Sequence, residues 1–141
     1  MRNAFQEELD SIHGTLVRMG QLVEESMSSA TKALLEPNLE LAQKIIKEDD
    51  TIDDMQHELD ARTMLIIARQ SPVAGDLRTL VTSLRMSADL ERMGDMAHHI
   101  AKLARMRYPN CAVPAEIKEI IVQMDRVAVG IIQKKIGRAH V

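Results

Sequence analysis

Two pairs of acidic residues occur at a spacing of four on segments with helical periodicity. Asp49 and Asp53 form one pair, and Glu91 and Asp95 form the other. Residues four apart share one face of an α-helix, so each pair directs two carboxylates the same way. Carboxylate oxygens are the ligands that Mg²⁺, Mn²⁺, Ca²⁺ and ferric iron take from helical bundles. The spacing therefore predicts a metal site where two such helices bring the pairs together.

These carboxylates fall on apolar stripes rather than on a polar face. Asp49 occupies a core position of its segment, and the stripe of the next segment leads to Glu91 and Asp95. An ionised carboxylate in an apolar interior is costly unless it gains a cationic partner, a raised pKa or a metal ion. The nearby basic residues Arg85 and Arg92 do not fall on the stripe, so an internal salt bridge is not the evident way to stabilise these carboxylates.

His98 is a weaker candidate ligand. It follows Asp95 by three residues, which is the spacing between carboxylate and histidine in di-iron bundles. A single Asp-x-x-His is also explained by a histidine that is satisfied within the core. The neighbouring Asp50 and Asp54 lie off the stripe, and we interpret them as part of a solvated acidic face.

Apolar residues recur three and four apart in four segments, and each segment is predicted to be a helix. The predicted ranges are 3–35, 38–69, 72–109 and 115–135. The stripe of the first segment comprises Phe5, Leu9, Ile12, Leu16, Met19, Val23, Ala30 and Leu34, and that of the second comprises Ala42, Ile45, Asp49, Ile52, Leu59, Thr63 and Ile66. The stripe of the third comprises Leu77, Leu80, Val81, Leu84, Ala88, Ile100 and Leu103, and that of the fourth comprises Ile117, Ile121, Met124, Ala128 and Ile131.

Short links between the first three segments predict an antiparallel arrangement. The break at Pro37 is followed by Asn38, a candidate N-cap, and the next link at Ser71 is just as short. The expected fold is all-α, an antiparallel three-helix bundle. Asp53 and Glu91 lie about 18 and about 20 residues from the link at Ser71, so they should meet at one level.

Composition agrees with a helical protein. The chain has 141 residues and is 45% hydrophobic, but it contains one Phe, one Tyr and no Trp against ten Met, so its core must be aliphatic. A net charge of −3 gives no general attraction to nucleic acid. A single cysteine, Cys111, no apolar run of about 18 residues and no signal-peptide core predict a soluble cytoplasmic protein without membrane insertion.

Three stretches together resemble the PhoU family of bacterial phosphate-uptake regulators. They are KEDDTID at 47–53, PVAGDLR at 72–78 and ADLERMGDMAHHIAK at 88–102. The family repeat has three helices, with an acidic (E/D)xxxD motif on the second and third. Asp49 with Asp53, and Glu91 with Asp95, match those two motifs.

The resemblance implies a regulator rather than an enzyme. Proteins of this family act with the ATPase of the Pst phosphate ABC transporter and with a PhoR-type sensor kinase, and they repress the Pho regulon when phosphate is plentiful. Family members bind iron, manganese, zinc or magnesium through the acidic motifs, and many form homodimers. The same roles are therefore expected of this chain.

The resemblance also implies a domain organisation. Residues 1–109 correspond to one PhoU-like repeat, and residues 110–135 to a loop and the first helix of a truncated second repeat. The peptide at 136–141 can be encoded by the opening of a widely used sequencing adapter, and we predict an adapter-derived, disordered, non-native tail there. The apolar residues of the fourth helix would be exposed to solvent unless this helix folds back onto the bundle or associates with another copy. We therefore expect folding back or self-association.

Two other readings follow from the same residues. A carboxylate-bridged dimetal enzyme would need open coordination positions and a substrate cavity, for which the sequence offers little aromatic material. A purely structural bundle would instead pair the carboxylates with Lys and Arg.

Overall fold

Within residues 3–140 the chain folds into four α-helices and one 3₁₀ turn. The computed structural model describes the backbone of residues 3–140 and the side chains of residues 3–134. The helices are α1 (Ala4–Leu35), α2 (Leu39–Gln70), α3 (Ala74–Arg107) and α4 (Lys118–His140), with the 3₁₀ turn at Ala115–Ile117. No strand occurs within residues 3–140, so the predicted all-α class is confirmed. Nowhere in this part of the chain is a helix long and apolar enough to cross a membrane.

Asparagine side chains begin the first two helices. Oδ1 of Asn3 accepts a hydrogen bond from the backbone N–H of Gln6 at 2.8 Å, and Oδ1 of Asn38 accepts one from that of Leu41 at 3.0 Å. Each bond satisfies an N–H that has no partner within its own helix. Asn38 is thus the N-cap that its position after the proline predicted. The left-handed Ser71, with φ of 42°, ends α2.

The first helix is the centre of the molecule. α1 packs against α2, α3 and α4, and α2 also packs against α3. The first three helices therefore form the predicted bundle, with α4 on an outer side of α1. The predicted stripes of α1 and α2 are the faces that the bundle buries, comprising Leu9, Ile12, Leu16, Met19, Val23 and Leu34 on α1, and Ala42, Ile45, Asp49, Ile52, Leu59, Thr63 and Ile66 on α2.

The buried face of α3 differs from the predicted stripe. Leu77 and Leu103 are exposed, and Glu91 and Asp95 are partly exposed at the edge of the interface rather than buried at its centre. Small side chains allow α3 to lie close to its neighbours, and they give little hydrophobic contrast in a sequence. The residues that α3 buries are Leu80, Ser83, Ser87, Leu90, Gly94, Ala97, Ala101 and Ala104.

The fourth helix folds back onto α1, which is one of the two outcomes expected for it. Its buried anchor is Ile132, whereas Ile117, Met124 and Ile131 of the predicted stripe are exposed. The side of α4 that packs against α1 is the one that carries Ile132. The backbone is helical through His140, which contradicts the expected disorder of 136–140; Val141 lies outside the described residues.

Candidate metal centre

The bundle brings three candidate ligands from two helices together. One ligand atom each of Asp49 on α2 and of Asp95 and His98 on α3 lie within 4.8 Å of one another. Asp49 is buried, and the other two side chains are partly exposed. The group lies where the core changes character, between the large aliphatic side chains near Ile52 and the alanine-rich end of the bundle near Ala97.

Asp49 and His98 are in direct contact. Nδ1 of His98 lies 2.6 Å from Oδ2 of Asp49, within hydrogen-bond distance. No described residue gives a hydrogen bond to the second oxygen of Asp49 or to Nε2 of His98, although both atoms are buried. Buried polar atoms without partners are uncommon in folded proteins. Two oxygens and a nitrogen with free lone pairs in this arrangement fit a metal ion.

Gly94 makes room for the buried carboxylate. A Cβ atom at this position would lie 3.6 Å from Oδ1 of Asp49 and closer still to Ile52. The absence of a side chain at Gly94 therefore lets the backbone of α3 approach Asp49. We did not predict this residue from the sequence, where a glycine inside a helix indicates a close contact but not its partner.

Asp53 and Glu91 form the second half of the cluster. The side-chain hydrogen bond between them lowers the pKa of Asp53 and raises that of Glu91. The pKa of Asp53 is raised, first by burial and then by the negative charge of Asp49. The pKa of Glu91 is raised by burial, then by its hydrogen bond to Asp53 and the negative charges around it. Burial and mutual repulsion therefore oppose the ionised forms of both carboxyl groups, and a nearby cation would relieve that cost.

Basic side chains do not neutralise the cluster. In the part of the chain that the structure describes, no Lys or Arg lies within salt-bridge distance of the four carboxylates, and Arg92 instead pairs with Asp89 at 3.8 Å on the surface. The charge of His57 lowers the pKa of Asp53, but it affects this pKa less than burial and the neighbouring carboxyl groups do. His57 was not among the predicted residues, although its spacing of four from Asp53 placed it on the same face.

The chain matches a known family and its curated relatives. Residues 16–104 match the PhoU domain family. The chain is 40% identical over 129 residues to "Phosphate-specific transport system accessory protein PhoU homolog 2" of Mycobacterium tuberculosis, covering 92% of this chain and 61% of that protein. It is 42% identical over 102 residues to a PhoU homolog of Clostridium acetobutylicum, covering 72% of this chain and 47% of that protein.

Solved structures show the same architecture. PhoU from Pseudomonas aeruginosa superposes with a TM-score of 0.76 at 32% identity, covering 86% of this chain and 60% of that one. The regulatory protein PhoU from Streptococcus pneumoniae gives 0.81 at 28% identity, covering 94% and 61%. The chain thus spans 47 to 61% of the length of these relatives. The family match, the identity to curated relatives and the likeness to solved structures agree, and the chain belongs to the PhoU domain family.

Proposed function

We propose that this protein is a metal-binding, non-enzymatic regulator of phosphate transport. The observation that carries the metal site is the contact of Asp49 with His98, in which each side chain keeps a buried atom without a described partner. The regulatory role is supported by the relatives, which are named accessory proteins of the phosphate-specific transport system.

Two groups of side chains would hold the metal. Asp49, Asp95 and His98 offer two oxygens and one nitrogen within 4.8 Å, which suits a first ion. Asp53 and Glu91 offer a carboxyl pair beside it, where a bound cation would offset the repulsion that helps to raise the pKa of both groups. An imidazole ligand suits iron or zinc, while carboxylates suit manganese and magnesium. The mixed set therefore favours iron, manganese or zinc over magnesium.

The role of these side chains would be to control how α2 and α3 are held together. Without a cation, Asp49, Asp53, Glu91 and Asp95 repel one another, since the negative charges of its neighbours help to raise the pKa of Glu91. Ligands from both helices around one ion would convert that repulsion into a cross-link. A surface stiffened in this way can bind a protein partner with a smaller loss of entropy.

The proposed partners are the ATPase of the Pst phosphate transporter and a PhoR-type sensor kinase, both reached from the cytoplasm. Both partners are inferred from the family. This chain spans only 61% of the length of the mycobacterial relative, so the partners of the full-length proteins are a proposal for it. Expression of the chain in bacteria that lack their own PhoU, with a reporter for a phosphate-starvation promoter, tests this role. Repression by the wild type that is lost in Asp49→Asn supports it, and an unchanged reporter argues against it.

Thermal melting with Mn²⁺, Fe²⁺ or Zn²⁺ tests the metal site directly. An ion that binds the folded state at 100 times its Kd adds about 2.7 kcal/mol of stability. The wild type should therefore gain in Tm, and Asp49→Asn should not. Asp50→Asn is the matched control, because Asp50 is the adjacent aspartate and is exposed. Equal gains in both variants would refute the site.

A second candidate is a dimetal enzyme, since a carboxylate-rich pair of sites is also what hydrolytic metal centres use. Incubation of the metal-loaded protein with a general phosphoester substrate distinguishes the two. Turnover that depends on Asp49 would favour the enzyme, and binding without turnover supports the regulator.

A further inference from the structure

The outer face of α3 carries large apolar side chains that the bundle leaves uncovered. Met96 is 60% exposed, Leu103 44% and Met106 79%, and Tyr108 at the end of the helix is 46% exposed. The side of α3 that the bundle buries is instead made mostly of Ser, Gly and Ala. Within the described residues α3 packs against α1 and α2, so no other helix covers its outer face. Apolar side chains grouped at a surface indicate an interaction site.

Basic side chains share this outer face. The exposed basic residues of α3 are Arg78, Arg85, Arg92, Lys102, Arg105 and Arg107. The three most N-terminal arginines lie seven residues apart, which is about two helical turns, so they form one row with steps of about 10 Å. Along Ala74–Arg107 the one acidic residue at an exposed position is Asp89, which pairs with Arg92 at 3.8 Å. Exposed pairs of this kind contribute little to stability, so Arg92 can exchange Asp89 for another anion.

An anionic lipid bilayer matches both properties of this face. Lys and Arg side chains pair with phosphate head groups, while apolar side chains enter the boundary beneath them, where Tyr is also enriched. Around the helix, Met106 and Leu103 lie between Lys102 and Arg107. Long basic side chains in such positions reach the head groups as their apolar neighbours insert. An acidic protein surface would pair with the charges but would leave the apolar side chains without a partner.

The charges on the rest of the chain favour one orientation at such a surface. The chain has a net charge of −3, so as a whole it is not attracted to an anionic bilayer. The neighbouring helix α2 is acidic in its middle part, where its exposed residues include Asp50, Asp54, Glu58 and Asp60. Attraction of α3 together with repulsion of α2 would turn the outer face of α3 toward the lipid.

We propose that the outer face of α3 binds the surface of an anionic lipid bilayer, with the helix axis parallel to that surface. The contact is peripheral, because the apolar side chains insert only into the interfacial layer. The inference does not depend on the proposed function, since none of the proposed metal ligands takes part in it.

Cosedimentation of the full chain with lipid vesicles tests the proposal. Vesicles of equal parts phosphatidylglycerol and phosphatidylcholine are compared with vesicles of phosphatidylcholine alone, in a chelator and at low salt. The wild type should bind the anionic vesicles and not the neutral ones, and added salt should weaken the binding. The double variant Arg78→Gln, Arg85→Gln should lower the partition coefficient about thirtyfold. Met106→Ser should lower it several-fold, because an inserted apolar side chain is lost.

Matched controls are available on α2. The double variant Lys44→Gln, Lys47→Gln removes the same charge from exposed positions, and Met64→Ser removes an exposed methionine. Both should bind the vesicles nearly as the wild type does, and circular dichroism checks that every variant keeps the fold.

A wild type that does not bind anionic vesicles overturns the proposal. Equal losses in the two double variants also overturn it, because net charge alone would then determine binding. Retention on immobilised polyglutamate without any binding to vesicles would overturn it in favour of an acidic protein partner.

Discussion

Gly94 of α3 lies directly against Ile52 of α2. A Cβ at position 94 would lie 3.2 Å from Cδ1 and 3.3 Å from Cγ2 of Ile52, which is tighter than an ordinary van der Waals contact. Ile52 is fully buried and has little freedom to move. The contact sets how closely α3 approaches α2, and therefore how far Asp95 and His98 lie from Asp49.

We expect Gly94→Ala to destabilise the fold by about 1 kcal/mol. Overpacking a core costs about 1 to 3 kcal/mol, and alanine returns about 1 kcal/mol of helix propensity. Urea unfolding measures the difference. Gly75→Ala is the control, because a Cβ there would meet nothing within 4 Å; it should leave the stability unchanged or raise it by up to about 1 kcal/mol. Equal stabilisation by both changes would mean that α3 does not lie so close to Ile52.

The interaction of His98 with Asp49 predicts a difference between two adjacent histidines. His98→Ala removes the partner of a buried carboxylate and should destabilise the protein by about 1 to 3 kcal/mol. His99→Ala, at an exposed position, should change the stability by less than about 0.5 kcal/mol. Chemical denaturation of metal-free protein compares the two. Indistinguishable variants would show that Asp49 does not depend on the imidazole.

The raised pKa values of Asp53 and Glu91 predict that stability falls as the pH rises. The folded state binds their protons more tightly than the unfolded chain does, where the ordinary pKa values are 3.8 and 4.5. Their favourable contribution is therefore fully present below those values and is lost as the pH rises through the raised ones. Metal-free protein in a chelator should therefore lose stability from this pair as the pH rises above the ordinary values.

The double variant Asp53→Asn, Glu91→Gln isolates that contribution. It carries no titrating carboxyl at either position, so its stability should fall less over the same pH range. It should also be more stable than the wild type at neutral pH without metal. Asp54→Asn, at an exposed neighbouring position, should follow the wild-type curve. A double variant with the wild-type pH dependence would contradict the prediction.

The contrast between α2 and α3 shows why the sequence predicted one buried face and not the other. On α2 the large side chains Ile45, Ile52 and Leu59 mark the buried face, and the stripe drawn through them is the one that the bundle buries. On α3 the buried face is mostly Ser, Gly and Ala, while large residues such as Leu77 and Leu103 are exposed. Periodicity follows size and hydrophobicity, so it could not locate a face that is defined by close approach.

The sequence pattern also predicted only part of the candidate metal site. Chain length between the short loops was enough to place both acidic pairs at one level, because antiparallel helices of equal rise meet in register. The rotation of α3 about its own axis decides which side chains touch. The contact of His98 with Asp49 and the position of Gly94 depend on that rotation, and no pattern in the sequence specifies it.

The two sides of α4 predict opposite responses at adjacent isoleucines. Ile132 is fully buried against α1, whereas Ile131 is half exposed on the predicted stripe. Truncation of a buried isoleucine to alanine costs about 2 to 5 kcal/mol, and the loss should fall on the docking of α4. In Ile132→Ala, amide hydrogen exchange throughout α4 should therefore accelerate, while α2 and α3 keep their protection. Ile131→Ala should leave exchange in α4 nearly unchanged. Equal acceleration in the two variants would mean that α4 is not held on α1 by this side chain.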